Sequence, residues 1–176
     1  MGPPVDSNYA DRAAMHGLVF RYFDGGGMYR PHAGSGIVGG GFPRLNDGDI
    51  AQNDDDTRRC VWYDNAGRFH IDLGKSLRLA RINTYSRHRS NRAPQHFSVW
   101  GSNGEAMPDP DIAKGKHAGW SLIAVVNTKK LGEGGIHGSS IGGSDEAIGP
   151  FRHLLWVVED MGLGTFFTEI DIHAAD

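Results

Sequence analysis

The sequence has a single cysteine, Cys60, so no internal disulfide can form and cysteine usage leaves the redox compartment open. It has no run approaching the roughly 20 consecutive apolar residues of a membrane span. Met1 to Ala10 carries neither the positive start nor the apolar stretch of a secretory signal. Neither sign of charge is in large excess: 18 Lys and Arg face 21 Asp and Glu, for a formal net charge of −3. That balance supplies no basic stripe for a nucleic-acid backbone or an anionic membrane. A sustained helical period is also missing, beyond a turn expected around Tyr9 to His16.

The usual signatures of chemistry are absent as well. The nine histidines are scattered, with no H-E-x-x-H spacing, and there is no G-x-S-x-G elbow. No carboxylate pair can be selected from sequence as a glycosidase couple, so no catalytic residue is expected. Gly34-Ser35-Gly36-Ile37-Val38-Gly39 has the spacing of a dinucleotide fingerprint. The following Gly40-Gly41-Phe42-Pro43 cannot open the helix that would hold a pyrophosphate.

Glycine is what the chain has in abundance, 26 of 176 residues, about twice the average share. Asp24 to Gly48 holds 9 glycines in 25 residues and Gly132 to Gly149 holds 7 in 18. Both stretches are interleaved with apolar residues and read as long ordered loops over a scaffold. The loop from Lys129 to Gly149, with His137 and Ser139-Ser140, reads as a second candidate surface.

That scaffold reads as β. Arg68 to Leu73 alternates strictly, with Phe69, Ile71 and Leu73 on one face, before a Gly74-Lys75 turn. Leu77 and Leu79 begin a second strand, but Ile82 and Thr84 fall in the opposite register, which predicts a bulge near Ala80-Arg81. Phe97 and Val99 mark another strand. Trp120, Leu122, Ala124 and Val126 are expected to share a face. Phe151 to Val158 suits a central strand, and Thr165 to His173 sets Phe166, Ile170 and Ile172 against Phe167, Glu169 and Asp171. Short strands joined by Gly- and Asn-rich turns predict an all-β domain, an antiparallel β-sandwich or jelly roll. One domain is expected over 1–176, with an elaborated segment at 1–44 and a core at 45–172.

Three ordered segments carry a family resemblance: Leu45-Asn46-Asp47-Gly48-Asp49, then Phe69-His70-Ile71-Asp72-Leu73-Gly74-Lys75, then Phe97 to Gly104 with Trp120 to Ala124 behind it. Phe151 to Leu155 and Thr165 to Ile172 complete the set. The ordered set resembles the discoidin, or coagulation factor 5/8 type C, superfamily of galactose-binding-like jelly rolls, which includes the family 32 carbohydrate-binding modules. The resemblance implies a sandwich whose loops at one end bind a sugar beside a structural Ca²⁺. It also implies a monomeric module of a larger secreted or cell-surface bacterial protein that acts on polysaccharide.

The resemblance implies calcium ligation by Asp47 and Glu169. Independently, an Asp-Gly-Asp turn offers carboxylates of Asp47 and Asp49 with carbonyls freed by the Gly kink, as a six- to eight-oxygen ion requires. Glu169 can join them if a loop covers its face. The family places a Trp close behind the Thr of this loop, whereas here Thr57 is separated from Trp62 by Arg58-Arg59-Cys60-Val61.

For the ligand, the segment Arg87 to Arg92 supplies His88, Arg89, Asn91 and Arg92, side chains whose donors and acceptors suit fixed sugar hydroxyls. Tyr29 and Trp62 are the candidate aromatics for the C–H face of a sugar ring. The arginines also suit a carboxylate or sulfate on an acidic polysaccharide. A protein-interaction or adhesion module on the same fold, and a His-dependent carbohydrate-active enzyme, are the alternatives.

Overall fold

In a computed structural model the structure describes residues 5–6, 21–29, 45–46, 48, 50–54, 56–110, 118–142, 146–159 and 165–176. For 5–6, 21–29, 57 and 62–65 it describes the backbone alone. The expected turn at Tyr9 to His16, and Asp47 and Asp49 of the suspected calcium turn, lie outside the described residues.

The strands are β1 (Val5–Asp6), β2 (Arg21–Tyr29), β3 (Val61–His88), β4 (His96–Ser102), β5 (Ser121–Asn127), β6 (Gly135–Gly142), β7 (Ile148–Val158) and β8 (Phe166–Ala174). They form one curled sheet in the order β1-β6-β3-β7-β4-β5, with β2 and β8 also paired to β3. The chain is an all-β sandwich because β3 serves both layers. Its first limb pairs with β2, with β7 from Gly67 to Asp72 and with β8 at Val61 and Trp62; its second pairs with β6, with β8 from Leu79 to Ser86 and with β7 at Leu77 and Leu79. Val61 and Ser86 both lie opposite Phe167, so the strand doubles over between them. The fold-over is at Gly74, whose φ of 79° is a conformation that suits glycine, followed by exposed Lys75 and Ser76.

The predicted bulge is present: Leu79 lies opposite Ala174 and Arg81 opposite His173, leaving Ala80 unmatched. Leu79 and Ile82 therefore both reach the core, with Phe69, Ile71, Phe97, Leu154, Trp156 and Ile172. Phe69 and Phe97 both stack on the Trp156 ring, at centroid distances of 5.6 and 5.8 Å. As the apolar run predicts, β7 is central, lying between β3 and β4.

Bulges also correct two expected patterns. On β8, Tyr85 faces Glu169 and Ser86 faces Phe167, so Thr168 is the extra residue. Phe167, not Phe166, joins Ile170 and Ile172 in the core. On β5, Val99 faces Ala124 and Trp100 faces Leu122, so Ile123 is extra. Leu122 is thereby 51% exposed, while Val126 is buried.

The glycine stretches are not simply loops. Arg21–Tyr29 and Gly135–Gly142 are strands. In β6 small residues suit close approach: a Cβ on Gly142 would come 2.5 Å from the Ala80 carbonyl oxygen.

Candidate functional site

The register gathers Val61, His88, His96, Asn127, Gly135 and Phe166 at one end of the sandwich. There the chain turns from β3 to β4 through Arg89 to Gln95. Ser and Asn favour such turns, and the Ala93 N–H donates to the Ser90 carbonyl at 3.0 Å. His88 is 6% exposed, and its Nδ1 accepts from the Ser90 N–H at 3.1 Å. Its ring lies 4.8 Å from that of buried Phe166. The Arg92 guanidinium sits 5.4 Å from the centre of the same ring, a cation–π distance. The Phe166 N–H donates to the Arg92 carbonyl at 2.9 Å, and Thr165 Oγ1 donates to the Pro94 carbonyl at 2.7 Å. The basic loop is thus fastened to the start of β8.

Asp54 folds against the same loop. Arg87 Nε donates to Asp54 Oδ1 at 2.8 Å, and the Arg89 N–H donates to the Asp54 carbonyl at 3.1 Å. Asp56 Oδ2 accepts from the Gln52 N–H at 3.0 Å and from Arg59 at 2.8 Å. Below it Ala51, Cys60 and Phe166 form a small apolar cluster. Burial, and secondarily the Asp56 charge, pushes the Cys60 thiol far above its ordinary range. Its sulfur is buried 3.2 Å from the Asp56 carbonyl oxygen.

Beneath the loop lies a buried polar network. Thr84 Oγ1 is 2.6 Å from both Gln95 Oε1 and Ser139 Oγ. Gln95 Nε2 donates to the carbonyls of Thr84 and His137, at 3.2 and 3.1 Å. The Gln95 N–H donates to Thr128 Oγ1 at 2.8 Å, which is 2.7 Å from His137 Nδ1. Burial is the main reason that the His137 pKa is lowered, which favours the neutral ring. His137 and Ser139, read from sequence as part of a candidate surface, are buried in this network instead.

On the outer face of β8, Glu169 and Asp171 are 1% and 2% exposed. The Gly48 N–H donates to Glu169 Oε1 at 3.3 Å, and the Asn46 amide donates to the Ile170 carbonyl at 3.4 Å. Asn46 and Gly48 therefore lie against β8. Glu169 and Asp171 are the buried carboxylates on this face, and carboxylate oxygens are the kind of ligand that Ca²⁺ takes. Among the described residues, no group of three or more His, Cys, Asp and Glu side chains is gathered for a metal.

No family model matches the sequence, and no curated protein matches it. Solved structures do. One is an F-lectin (fucolectin) from striped bass (Morone saxatilis) serum, with a TM-score of 0.57 and 14% identity over 95% of this chain. This chain spans 49% of the lectin's length. A second is the GH31 CBM32-2 module bound to GalNAc, with a TM-score of 0.55 and 10% identity over 88% of this chain and 97% of that one. A third is the family 32 carbohydrate-binding module of Clostridium perfringens NanJ in complex with galactose, with a TM-score of 0.52 and 11% identity over 88% and 91% of the two chains. The fold is that of the discoidin-like, galactose-binding-like domains.

Within the discoidin-like fold the sequence-derived residues fall into three positions. Arg89 and Asn91 are exposed on the loop, Arg92 is half-buried over Phe166, and His88 stands beneath them. The backbone of Trp62 lies opposite Phe166, and that of Tyr29 opposite Tyr63, so both strands bring an aromatic residue to this end. Glu169 belongs to a separate place, the outer face of β8. Sequence reasoning passed over Asp54, Gln95 and Phe166 as parts of the site. Their roles depend on partners far along the chain.

Proposed function

We propose that this protein is a non-catalytic carbohydrate-binding module, working as part of a larger secreted or surface bacterial protein that acts on polysaccharide. The observation that carries the reading is the basic loop itself. Arg89, Asn91 and Arg92 stand at one end of a discoidin-like sandwich, on a turn fastened by Ser90, Asp54, Phe166 and Gln95. Guanidinium and amide groups supply directional hydrogen bonds to sugar hydroxyls. A prefastened loop loses little freedom when it binds. Tyr29 or Trp62 provides the ring on which the apolar face of the sugar stacks. Ca²⁺, held by Asp47, Asp49 and Glu169 with Asp171 alongside, stiffens the turn beside β8 and takes no part in chemistry.

Glycan-array screening followed by titration calorimetry tests this reading. Arg92→Ala and Asn91→Ala are each expected to weaken the recognised glycan by about tenfold or more, the scale of losing a charge-assisted or bidentate contact. Failure of every glycan to bind at roughly millimolar concentration, the weak limit for shallow sites, overturns it.

A further inference from the structure

The chain has eight asparagines, and one of them, Asn103, is followed by glycine. In the other cases the next residue carries a side chain, which crowds its own main-chain nitrogen. Asn103 and Gly104 lie just past the end of β4, where the connection to β5 begins, and neither belongs to a strand. Both are exposed, as are Glu105 and Ala106 after them. Asparagines elsewhere are held in place. The Asn46 amide donates to the Ile170 carbonyl, Asn83 Oδ1 accepts from Ser140, and Asn127 Oδ1 accepts the Lys129 N–H. The Asn103-Gly104 pair stands at the opposite end of β4 from His96 and the basic loop.

The main-chain nitrogen of Gly104 is weakly held. Its N–H donates to Ser102 Oγ at 3.3 Å, longer than the roughly 2.9–3.0 Å of a typical N–H···O bond. Gly104 has no Cβ to block the approach of this nitrogen to the Asn103 side chain. A nucleophile and a carbonyl carbon joined by so few bonds react as an intramolecular pair, with the translational cost of meeting already met. Ring closure needs a turn of the Asn103 backbone, which an exposed segment outside the sheet permits.

We infer that Asn103 is a site of spontaneous deamidation, at which the Gly104 main-chain nitrogen displaces ammonia from the Asn103 side chain. The nitrogen gives its proton to hydroxide and attacks Cγ. The N–Cγ bond forms and the Cγ–Nδ2 bond breaks, and the departing nitrogen takes a proton from water and leaves as ammonia. Water then opens the succinimide ring, with no oxidation or reduction. Breaking the new N–Cγ bond gives aspartate; breaking the original peptide C–N bond gives isoaspartate. Either product adds a carboxylate and takes the formal charge from −3 to −4. Ser102 faces His153 in the β4–β7 register, so the new charge enters the chain next to the position of Arg152, the partner of Asp72. Isoaspartate also routes the main chain through Cβ ahead of Met107, which packs on the Trp120 and Leu155 cluster.

Peptide mass spectrometry of the folded chain, aged at mildly alkaline pH, tests the assignment. Tryptic peptide 93–114 holds Asn103 as its one asparagine, so a gain of one dalton there reports the change. It is expected to convert about tenfold faster than the peptides that hold Asn83 and Asn127, and isoaspartyl methyltransferase is expected to label it. Asn103→Gln is expected to remove the gain. A free peptide spanning 100–107 supplies the unfolded reference, and the folded chain is expected to convert within about tenfold of its rate. No conversion in the folded chain overturns the proposal, whether or not the free peptide converts. A gain that survives Asn103→Gln also overturns it, because the change then lies at Gln95.

Discussion

Arg152 and Asp72 clasp one another across 80 positions of sequence: Arg152 Nε donates to Asp72 Oδ1 at 3.1 Å and Nη2 donates to Oδ2 at 3.4 Å. Asp72 Oδ1 also accepts the Gly74 N–H at 2.8 Å. The pair thus holds the β3 fold-over against β7.

Arg152→Ala is expected to lower unfolding stability by about 1 kcal/mol, the scale of a two-point but partly exposed ion pair. Urea denaturation measures this, and an unchanged midpoint would show that the pair is idle. The hydrogen bond from Arg152, chiefly, holds the Asp72 carboxyl below its ordinary pKa of 3.8. Its contribution is therefore present above that value and is lost as pH falls through the lower folded pKa.

His70 gives a second acid response in a higher window. It is buried on the sheet beside His153 and Asp72. Burial first, then the His153 charge, lowers its pKa from 6.5 to about 4, with Asp72 opposing. The unfolded chain binds this proton more readily, so stability falls as pH drops from 6.5 toward about 4. The loss reaches about 3 kcal/mol at most. His137 and His173 shift in the same direction, so the informative quantity is a difference. His70→Gln should flatten the wild-type slope in that window, and identical slopes would refute the assignment.

Gln95 joins three segments through its side chain and backbone. Gln95→Ala strands buried polar groups on Thr84, Ser139 and His137, and should cost about 3 kcal/mol. Hydrogen exchange is expected to rise at Arg89–Ala93 and Lys129–Gly134 together. Faster exchange in only one segment would show that Gln95 does not couple them.

Calcium is testable without a glycan. At about 100 times its dissociation constant a bound ion adds about 2.7 kcal/mol, so chelator should lower the melting temperature and added Ca²⁺ should restore it. Glu169→Gln is expected to make the protein indifferent to both treatments. A chelator-insensitive wild type rules the ion out.

Much of the scaffold is legible in sequence because apolar alternation reports directly on a half-buried strand. Phe69, Ile71 and Leu73 show it cleanly, and the register change between Leu79 and Ile82 locates the Ala80 bulge. The reading fails where burial is not apolar. In β6 the inward His137 and Ser139 serve hydrogen bonds, and glycine supplies no alternating side chain, so a paired strand looks like a loop. It fails again at Thr168 and Ile123, where one extra residue turns its neighbours to the other face. The Arg89–Arg92 loop is readable from residue type alone. Asp54 is not, because its role comes from Arg87, 33 positions away.

Since β3 is shared by both layers, the exposed Lys75 at its fold-over is a place where the chain can be opened without losing its partners. A tryptic nick there leaves one limb stitched to β2, β7 and β8 and the other to β6, β7 and β8. The two pieces are then expected to stay together as a noncovalent pair, which size-exclusion chromatography after limited trypsin treatment checks.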